Sequence, residues 1–454
     1  MEGPSEAIRP SSQHISLLRK WLIVLIVCTG SVCVTCASSI YTTTYDQITA
    51  EFDTPPLLAT GGLSTFVLGI GLGPLLTGPL SEHYGRRPIY LISWSLFIIW
   101  TIPSAVGTNI QTLIIARFFQ GFAGGTFLSV AGGTVSDIFA KDEIQKPMAV
   151  VSLAPFVGPS LGPVLGGFVN YYAPWRWTWY FVIIWGAVLL GFIVILAPET
   201  RVNIRERGAP ESESSQKGIR VTARALSVSL LRPFQMLFME PMCLCLDLYS
   251  AILLGILYLF FGAFPLVFKT THGMNLWQVG LTFLGIIFGM LIAAASNPLW
   301  NNIRTRLVVR RDQVGSGTSE PEYRLPPAIL GSLLIPFGLF WFGWTMYPSV
   351  HWMVPVVGSA VFGCGVLLVF TGVFTFFVDA YPRYAASALA ANGFVRCTSA
   401  AAFPLFGNQM YEKLGHQWAT SVLAFLTVAM MPFPWLFFGY GKLLRKRSSF
   451  AVDT

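Results

Sequence analysis

The feature that most constrains this chain is a succession of long apolar runs, each bounded by charge, glycine or proline, that recurs along nearly the whole sequence. A run of about 20 apolar residues is the length that crosses a bilayer as a helix. Helices are the form such runs must take in hydrocarbon, because they satisfy their own backbone donors and acceptors. The runs fall at 21–41, 56–77, 88–106, 110–136, 148–169, 179–197, 241–267, 279–299, 327–346, 353–378, 385–410 and 418–440, numbered here as spans 1 to 12. They predict an all-α polytopic membrane protein of twelve transmembrane helices in two six-helix, pseudo-symmetric halves. Composition agrees: only 11% of the 454 residues are charged, against roughly 25% in soluble domains. A water-soluble enzyme of this length is excluded on that ground.

The net charge of +8 reads as topology rather than as a nucleic-acid footprint, because the basic residues sit in connections between spans. Of the 29 Lys and Arg, 24 fall on the side that twelve spans assign to both termini, three (Arg176, Lys269, Lys413) fall on the other, and Arg117 and Arg396 lie inside spans. Both termini are therefore expected in the cytoplasm. The organisation expected is a cytoplasmic tail at 1–20, a six-helix half at 21–197, a linker at 198–240 containing ERGAPESESSQKG, a second six-helix half at 241–440 and a cytoplasmic tail at 441–454. Span 4 ends in SDIF at Asp137 and span 10 in VDAYP at Asp379, a weak self-similarity that suggests duplicated halves with the substrate path between them. The first apolar run begins behind Arg19 and Lys20 and lacks a cleavage site, so it reads as a span and not a signal peptide. The seven cysteines (Cys28, Cys33, Cys36, Cys243, Cys245, Cys364, Cys397) all lie in apolar runs, which points to packing and to neither disulfides nor zinc.

Between spans 2 and 3, Gly78 to Pro88 reads GPLSEHYGRRP. Gly78 and Gly85 permit close helix approach and unusual backbone angles. Glu82, Arg86 and Arg87, with Asp137 as partner for Arg86, form a candidate gate cluster that could latch one conformation; a short positive-inside loop would use the same residue types. In span 4, RFFQGFAGG sets Arg117 about 10 Å into the membrane at the helical rise, where an unpartnered cation costs at least a few kcal/mol. Arg117, with Gln120 one turn on, is thus a candidate proton-coupling and cavity pair, with snorkelling as the plainer reading. Span 5 reads APFVGPSLGPVLGGFV and spaces Gly158, Gly162 and Gly166 four residues apart, baring one face to a close neighbour. Pro159 and Pro163 remove backbone donors and permit a bend; static packing and a hinge fit equally. Asp247, about 9 Å along span 7 from Pro241, is a candidate proton carrier because a carboxylate's charge is costly out of water, or else a polar residue of a hydrated vestibule. Arg396, near the middle of span 11, is a candidate cavity residue. The run Tyr171 to Tyr180, YYAPWRWTWY, reads as an interfacial aromatic belt in preference to a ligand cage.

No phosphate loop, metal-ligand spacing or deep-lying histidine is present in the sequence. The motifs GPLSEHYGRRP, RFFQGFAGG and GPSLGPVLGG resemble the three signatures of the twelve-span drug:proton antiporters of the major facilitator superfamily. PET at Pro198 to Thr200, WRWTWY, PEYRLPPAILG, and SALAANGFVR through FPLFGNQMYEKLG resemble its fungal branch of multidrug and polyamine exporters. The likeness covers nearly all of 20–448, with Glu82 where many members carry Asp and a linker that is short beside relatives. It implies that Arg117 takes part in proton coupling and that Gly158, Pro159, Gly162, Pro163, Gly166 and Gly167 form the antiporter motif; Asp247 has no counterpart in it. It further implies a monomer in the lipid bilayer of the plasma membrane, or of the vacuole. Its partners would be protons and a small-molecule substrate, with no nucleic acid, and its energy source the proton gradient without cofactor or metal. The activity implied is export of drugs, fungicides or toxic and secondary metabolites by alternating access. A polyamine exporter, a sugar or nutrient symporter and a non-transporting membrane receptor are the alternatives.

Overall fold

The computed structural model describes residues 16–140, 143–196, 230–312, 320–445, 448 and 450, with side chains at 310–312 excepted. Among the described residues every regular element is a helix. Span 1 is Leu17–Ile40, carried on through a tight turn, Tyr41–Thr44, into Tyr45–Phe52. Span 2 is Pro56–Tyr84, span 3 Arg86–Val106, span 4 the pair Ile110–Gly124 and Thr126–Ile138, span 5 Gln145–Tyr172 and span 6 Arg176–Leu196. In the second half, span 7 is Pro241–His272, span 8 runs through Leu276–Thr282 and Leu284–Ala295 into Asn297–Asp312, span 9 is Pro326–Trp344 and span 10 Met353–Ala380. Of the expected linker, everything before residue 230 lies outside the described residues, as do 1–15 of the first expected tail and 446, 447, 449 and 451–454 of the second; 230–239 is helical and leads into span 7 at Glu240.

Spans 11 and 12 follow as one helical trace, Ala385–Met430, completed by Pro432–Arg445. A straight helix of 46 residues would be about 69 Å long, more than twice the hydrocarbon thickness. Gly415 resolves this: its φ of 75° and ψ of 164° reverse the chain in a conformation glycine adopts without penalty. The result is two crossings, and twelve in all. Other ends follow local rules as well. Pro56, Pro241 and Pro326 open helices where a missing N–H is no loss, and the Asn109 side chain caps span 4 by accepting from the Thr112 N–H at 2.8 Å.

Packing reveals the duplication. In the first half span 1 packs on span 5, span 2 on span 4, span 3 on span 4 and span 3 on span 6; in the second, span 7 packs on span 11, 8 on 10, 9 on 10 and 9 on 12. Adding six to each span number converts one set into the other. The two principal contacts between halves, span 2 with span 11 and span 8 with span 5, are exchanged by the same operation. Outward faces such as Ile184, Val188 and Ile195 on span 6 remain exposed and apolar, as a lipid solvent requires. The end of the bundle carrying residues 16 and 445 is called the tail face below, and the other the far face.

Candidate functional site

Two arginines occupy the middle of the bundle, in opposite halves. Arg117 of span 4 is fully buried. Its Nε donates to the Gly62 carbonyl at 3.3 Å, Nη1 to Gln120 Oε1 at 3.0 Å and Nη2 to the Ser38 carbonyl at 3.1 Å. Gln120 passes the chain on, its Nε2 donating to Thr101 Oγ1 at 2.7 Å. The guanidinium also lies 3.9 Å from the Phe66 ring centre, 5.0 Å from Tyr41 and 5.1 Å from Trp179. Arg117 and Gln120 therefore tie together spans 1, 2, 3, 4 and 6. The expectation of a cavity-facing pair is corrected here: the carbonyls of Gly62 and Ser38 supply the partners that membrane depth demands, and the side chains are enclosed within the first half. No carboxylate among the described residues forms an ion pair with Arg117.

Arg396 of span 11 is partly exposed, and its surroundings are different. Its guanidinium lies 5.0 Å from the ring centre of Phe374, 5.3 Å from Phe370 and 5.5 Å from Phe156. Nε and Nη1 are shielded and have no hydrogen-bond partner. Phe156 belongs to span 5 and stacks on Phe370 at 4.7 Å, so this cation sits on the seam between the halves. Asp247 is fully buried one turn away along the bundle's interior, where its Oδ1 accepts from Asn392 Nδ2 at 2.9 Å and its Oδ2 from the Cys243 thiol at 3.4 Å. A hydrated vestibule does not reach it. Asn392 precedes Arg396 by four residues, hence shares its helix face. That polar i, i+4 pair in an apolar span was the available sequence signal, and it identifies Asn392 as a site residue that residue types alone passed over.

At the tail face, Arg86 Nε lies 3.1 Å from Asp137 Oδ2, and Nη1 donates to Ser81 Oγ at 2.7 Å. A side chain at Gly133 would collide with the Arg86 guanidinium, so the second glycine of AGGTVSD makes the room for it. Arg87 Nη2 donates to the Val194 carbonyl at 3.0 Å, binding span 3 to the end of span 6. Glu82 is a correction to the expected cluster: it is exposed, because helical register turns Ser81 inward and its neighbour out. Gly78 is another, since a Cβ there would meet nothing within 4 Å. Gly85 does carry the turn, with φ of 98°. The duplicated counterpart is complete: Asp379 at the end of span 10 accepts from Arg324 Nε at 2.7 Å and lies 3.5 Å from Arg304 Nη2. Each pair lies within one half, so it braces a half and does not bridge the two.

Span 5 presents two faces. Side chains at Gly158, Gly162 and Gly166 would run into Thr35, Ser39 and Thr43 of span 1, so the regular stripe is packing inside the first half. Gly167 and Pro163 face the other way: a Cβ at Gly167 would come within 2.9 Å of the Leu276 carbonyl, and one at Gly280 would strike the Pro163 carbonyl. These positions join the halves toward the far face, together with Phe168 stacked on Trp277, Ser38 Oγ 2.9 Å from Tyr258 OH, and Ser64 Oγ donating to the Ala401 carbonyl at 2.7 Å. Pro159 leaves span 5 helical throughout. The aromatic run divides likewise. Trp175 and Trp179 point inward, with Trp175 Nε1 donating to Glu51 Oε2 at 2.6 Å, while Tyr172 and Trp177 stay outward.

Residues 27–404 match the model of the Major Facilitator Superfamily. The chain is 48% identical over 454 residues to "Efflux pump atB" of Aspergillus terreus, covering 97% of this chain and 87% of that protein. It is 40% identical over 455 residues to "Probable drug/proton antiporter YHK8" of Saccharomyces cerevisiae, covering 97% and 88%. Among solved structures, a partially occluded inward open conformation of the xylose transporter XylE from E. coli superposes with a TM-score of 0.66 over 92% of this chain and 99% of that one, at 17% identity, which speaks for the fold alone. Twelve spans in duplicated halves, matched along most of their length, place the chain in the major facilitator superfamily as a membrane transporter and not an enzyme.

Proposed function

We propose that the protein is a proton-driven exporter of small organic compounds that works by alternating access, with both termini in the cytoplasm and the plasma membrane as its location. The relatives named as an efflux pump and a drug/proton antiporter support export. The joining of the halves from their middle to the far face supports an inward-facing arrangement, ready to load from the cytoplasm. The observation that carries proton coupling is Asp247, a carboxylate enclosed at membrane depth whose bonded neighbours are the neutral groups of Asn392 and Cys243. Held by neutral partners, it can take up and release a proton without breaking an ion pair. Arg117 serves as the strut that keeps the first half rigid while it rocks, and the glycine face of span 5 keeps spans 1 and 5 moving as one body.

Purified protein in proteoliposomes with an acidic lumen should accumulate a fluorescent apolar dye, at about 1.4 kcal/mol of drive per pH unit for one proton. Collapse of the gradient with nigericin should abolish accumulation. Asp247→Asn should do the same while preserving dye exchange at equal pH. Accumulation that persists in Asp247→Asn would remove this residue from the proton path, and accumulation that persists after nigericin would remove proton coupling altogether.

A further inference from the structure

Arg86, Arg117 and Arg445, the buried arginines among the described residues, all donate to oxygen acceptors. Arg396 is only partly buried, yet its shielded Nε and Nη1 point at no acceptor. Three phenylalanine rings at 5.0 to 5.5 Å soften the charge through their π faces without supplying an oxygen for the N–H fork. The acid on the neighbouring helix gives the fork no oxygen: Asp247 is bonded to Asn392 and Cys243, and no hydrogen bond or ion pair joins it to Arg396. Asn392 Oδ1, on the same helix face, also lacks a donor. The spot thus combines a cation in want of oxygens, an amide oxygen in want of a donor, and apolar ring faces. It lies on the seam where Phe156 of one half meets Phe370 of the other, the place that rocking between states exposes in turn.

We propose that this cradle recognises the ionised oxygen group of an amphipathic organic acid: a carboxylate, enolate or phenolate docks on the Arg396 fork, and its apolar body lies against Phe156, Phe370 and Phe374. The proposal rests on the exporter reading and narrows its substrate class. A guanidinium is suited to such a group because its planar donors match two oxygens at once. A polyamine would meet a like charge at the same point, and a neutral compound would leave the fork unmet. Asn392 Oδ1 would add a preference for acids that carry a hydroxyl near the charged group.

The test uses full-length protein in nanodiscs titrated with 4-phenylbutyrate, with its uncharged amide and with 4-phenylbutylamine. The wild type should bind the acid about tenfold or more tightly than the amide, the range expected for a hydrogen bond to a charged group, and the amine most weakly. Arg396→Gln should bind acid no more tightly than amide, with an unchanged unfolding temperature in the absence of ligand reporting that it is folded; Arg396→Lys should keep part of the preference. Equal binding of acid and amide by the wild type overturns the proposal, as does tightest binding of the amine or a preference that survives in Arg396→Gln. Proteoliposomes separate this result from the exporter reading. Movement of neutral dyes down a pH gradient with no acid preference sinks the acid site and leaves the exporter standing, whereas acid-selective binding without any pH-driven movement supports the site and sinks the exporter.

Discussion

Arg117 and Arg396 share a residue type and a place inside membrane spans, and the chain treats them in opposite ways. Around Arg117 all three nitrogens have acceptors and three rings close the shell. Around Arg396 the rings are present and acceptors for Nε and Nη1 are missing. A cation at membrane depth has to be compensated, so the first is compensated by the protein and the second is left for something else. Depth alone does not separate the two charges; their hydrogen-bond shells do.

The largest effect that could break this comparison belongs to Arg117. Arg117→Gln leaves the Gly62 and Ser38 carbonyls and Gln120 without their donor, at about 1–3 kcal/mol for each buried group left unsatisfied. A loss of several kcal/mol is expected, seen as little folded protein in the membrane fraction and a lowered unfolding temperature. Arg117→Lys should fall between, since one ammonium cannot span the positions of a planar fork. An Arg117→Gln protein of normal thermal stability that has lost only its response to pH would return this residue to the proton path and erase the contrast.

Span 5 offers a comparison of the same kind on a smaller scale. At Gly162 an added methyl would meet Ser39 and the Ile40 N–H inside the first half, whereas at Gly280 it would meet Pro163 across the seam. Gly162→Ala should therefore cost about 1–3 kcal/mol of stability, the usual penalty for overpacking. Gly280→Ala should leave each half intact and push the halves apart at the far face, raising the labelling of a cysteine placed at Ser64 by a membrane-impermeant maleimide. The assignment of the two faces of span 5 fails if Gly280→Ala lowers stability as much as Gly162→Ala does without changing labelling.

Arg396 should respond with the opposite sign. Replacing a shielded cation whose Nε and Nη1 have no acceptor by an apolar group of similar bulk removes a desolvation cost and leaves no oxygen of the protein without its donor, so stability should hold or rise. Arg396→Leu should unfold at the wild-type temperature or above it in the absence of ligand, and should lose the stabilisation that 4-phenylbutyrate gives the wild type. A marked drop in stability would mean that Arg396 is held by the protein after all.

How far these differences could be read in the sequence depends on range. The twelve runs and the turn at Gly85 are local, because apolar length and a positive φ are properties of consecutive residues, and they were legible. The Arg86 to Asp137 pairing needed only the knowledge that both lie at one face. Glu82 misled because motif membership says nothing about register, and one residue of register separates the inward Ser81 from the outward acid. Arg117 and Arg396 looked alike because two of the three acceptors of Arg117 are backbone carbonyls, which leave no mark in residue types, and the empty shell around Arg396 leaves none either. The stripe at Gly158, Gly162 and Gly166 was plain, but the sequence could not say whether its neighbour was span 1 or span 8. That choice is made by the packing of whole helices.

The smallest effect tests whether satisfaction matters where water is near. Asp137 and Asp379 do the same task in the two halves, and both keep about a quarter of their side-chain surface exposed, 25% and 27%. Ion pairs with that much solvent contribute roughly 0–1 kcal/mol, so Asp137→Asn and Asp379→Asn should each lower stability by less than that. Asp137→Asn should cost the more of the two: Arg86 is 10% exposed against 24% for Arg324, and the deeper cation has less water to turn to when its acid is neutralised. High salt should shrink the Asp379 effect more than the Asp137 effect for the same reason. If either substitution proved as damaging as Arg117→Gln, partial exposure would not be moderating the loss of a partner, and the reason for separating Arg117 from Arg396 by their hydrogen-bond shells would no longer hold.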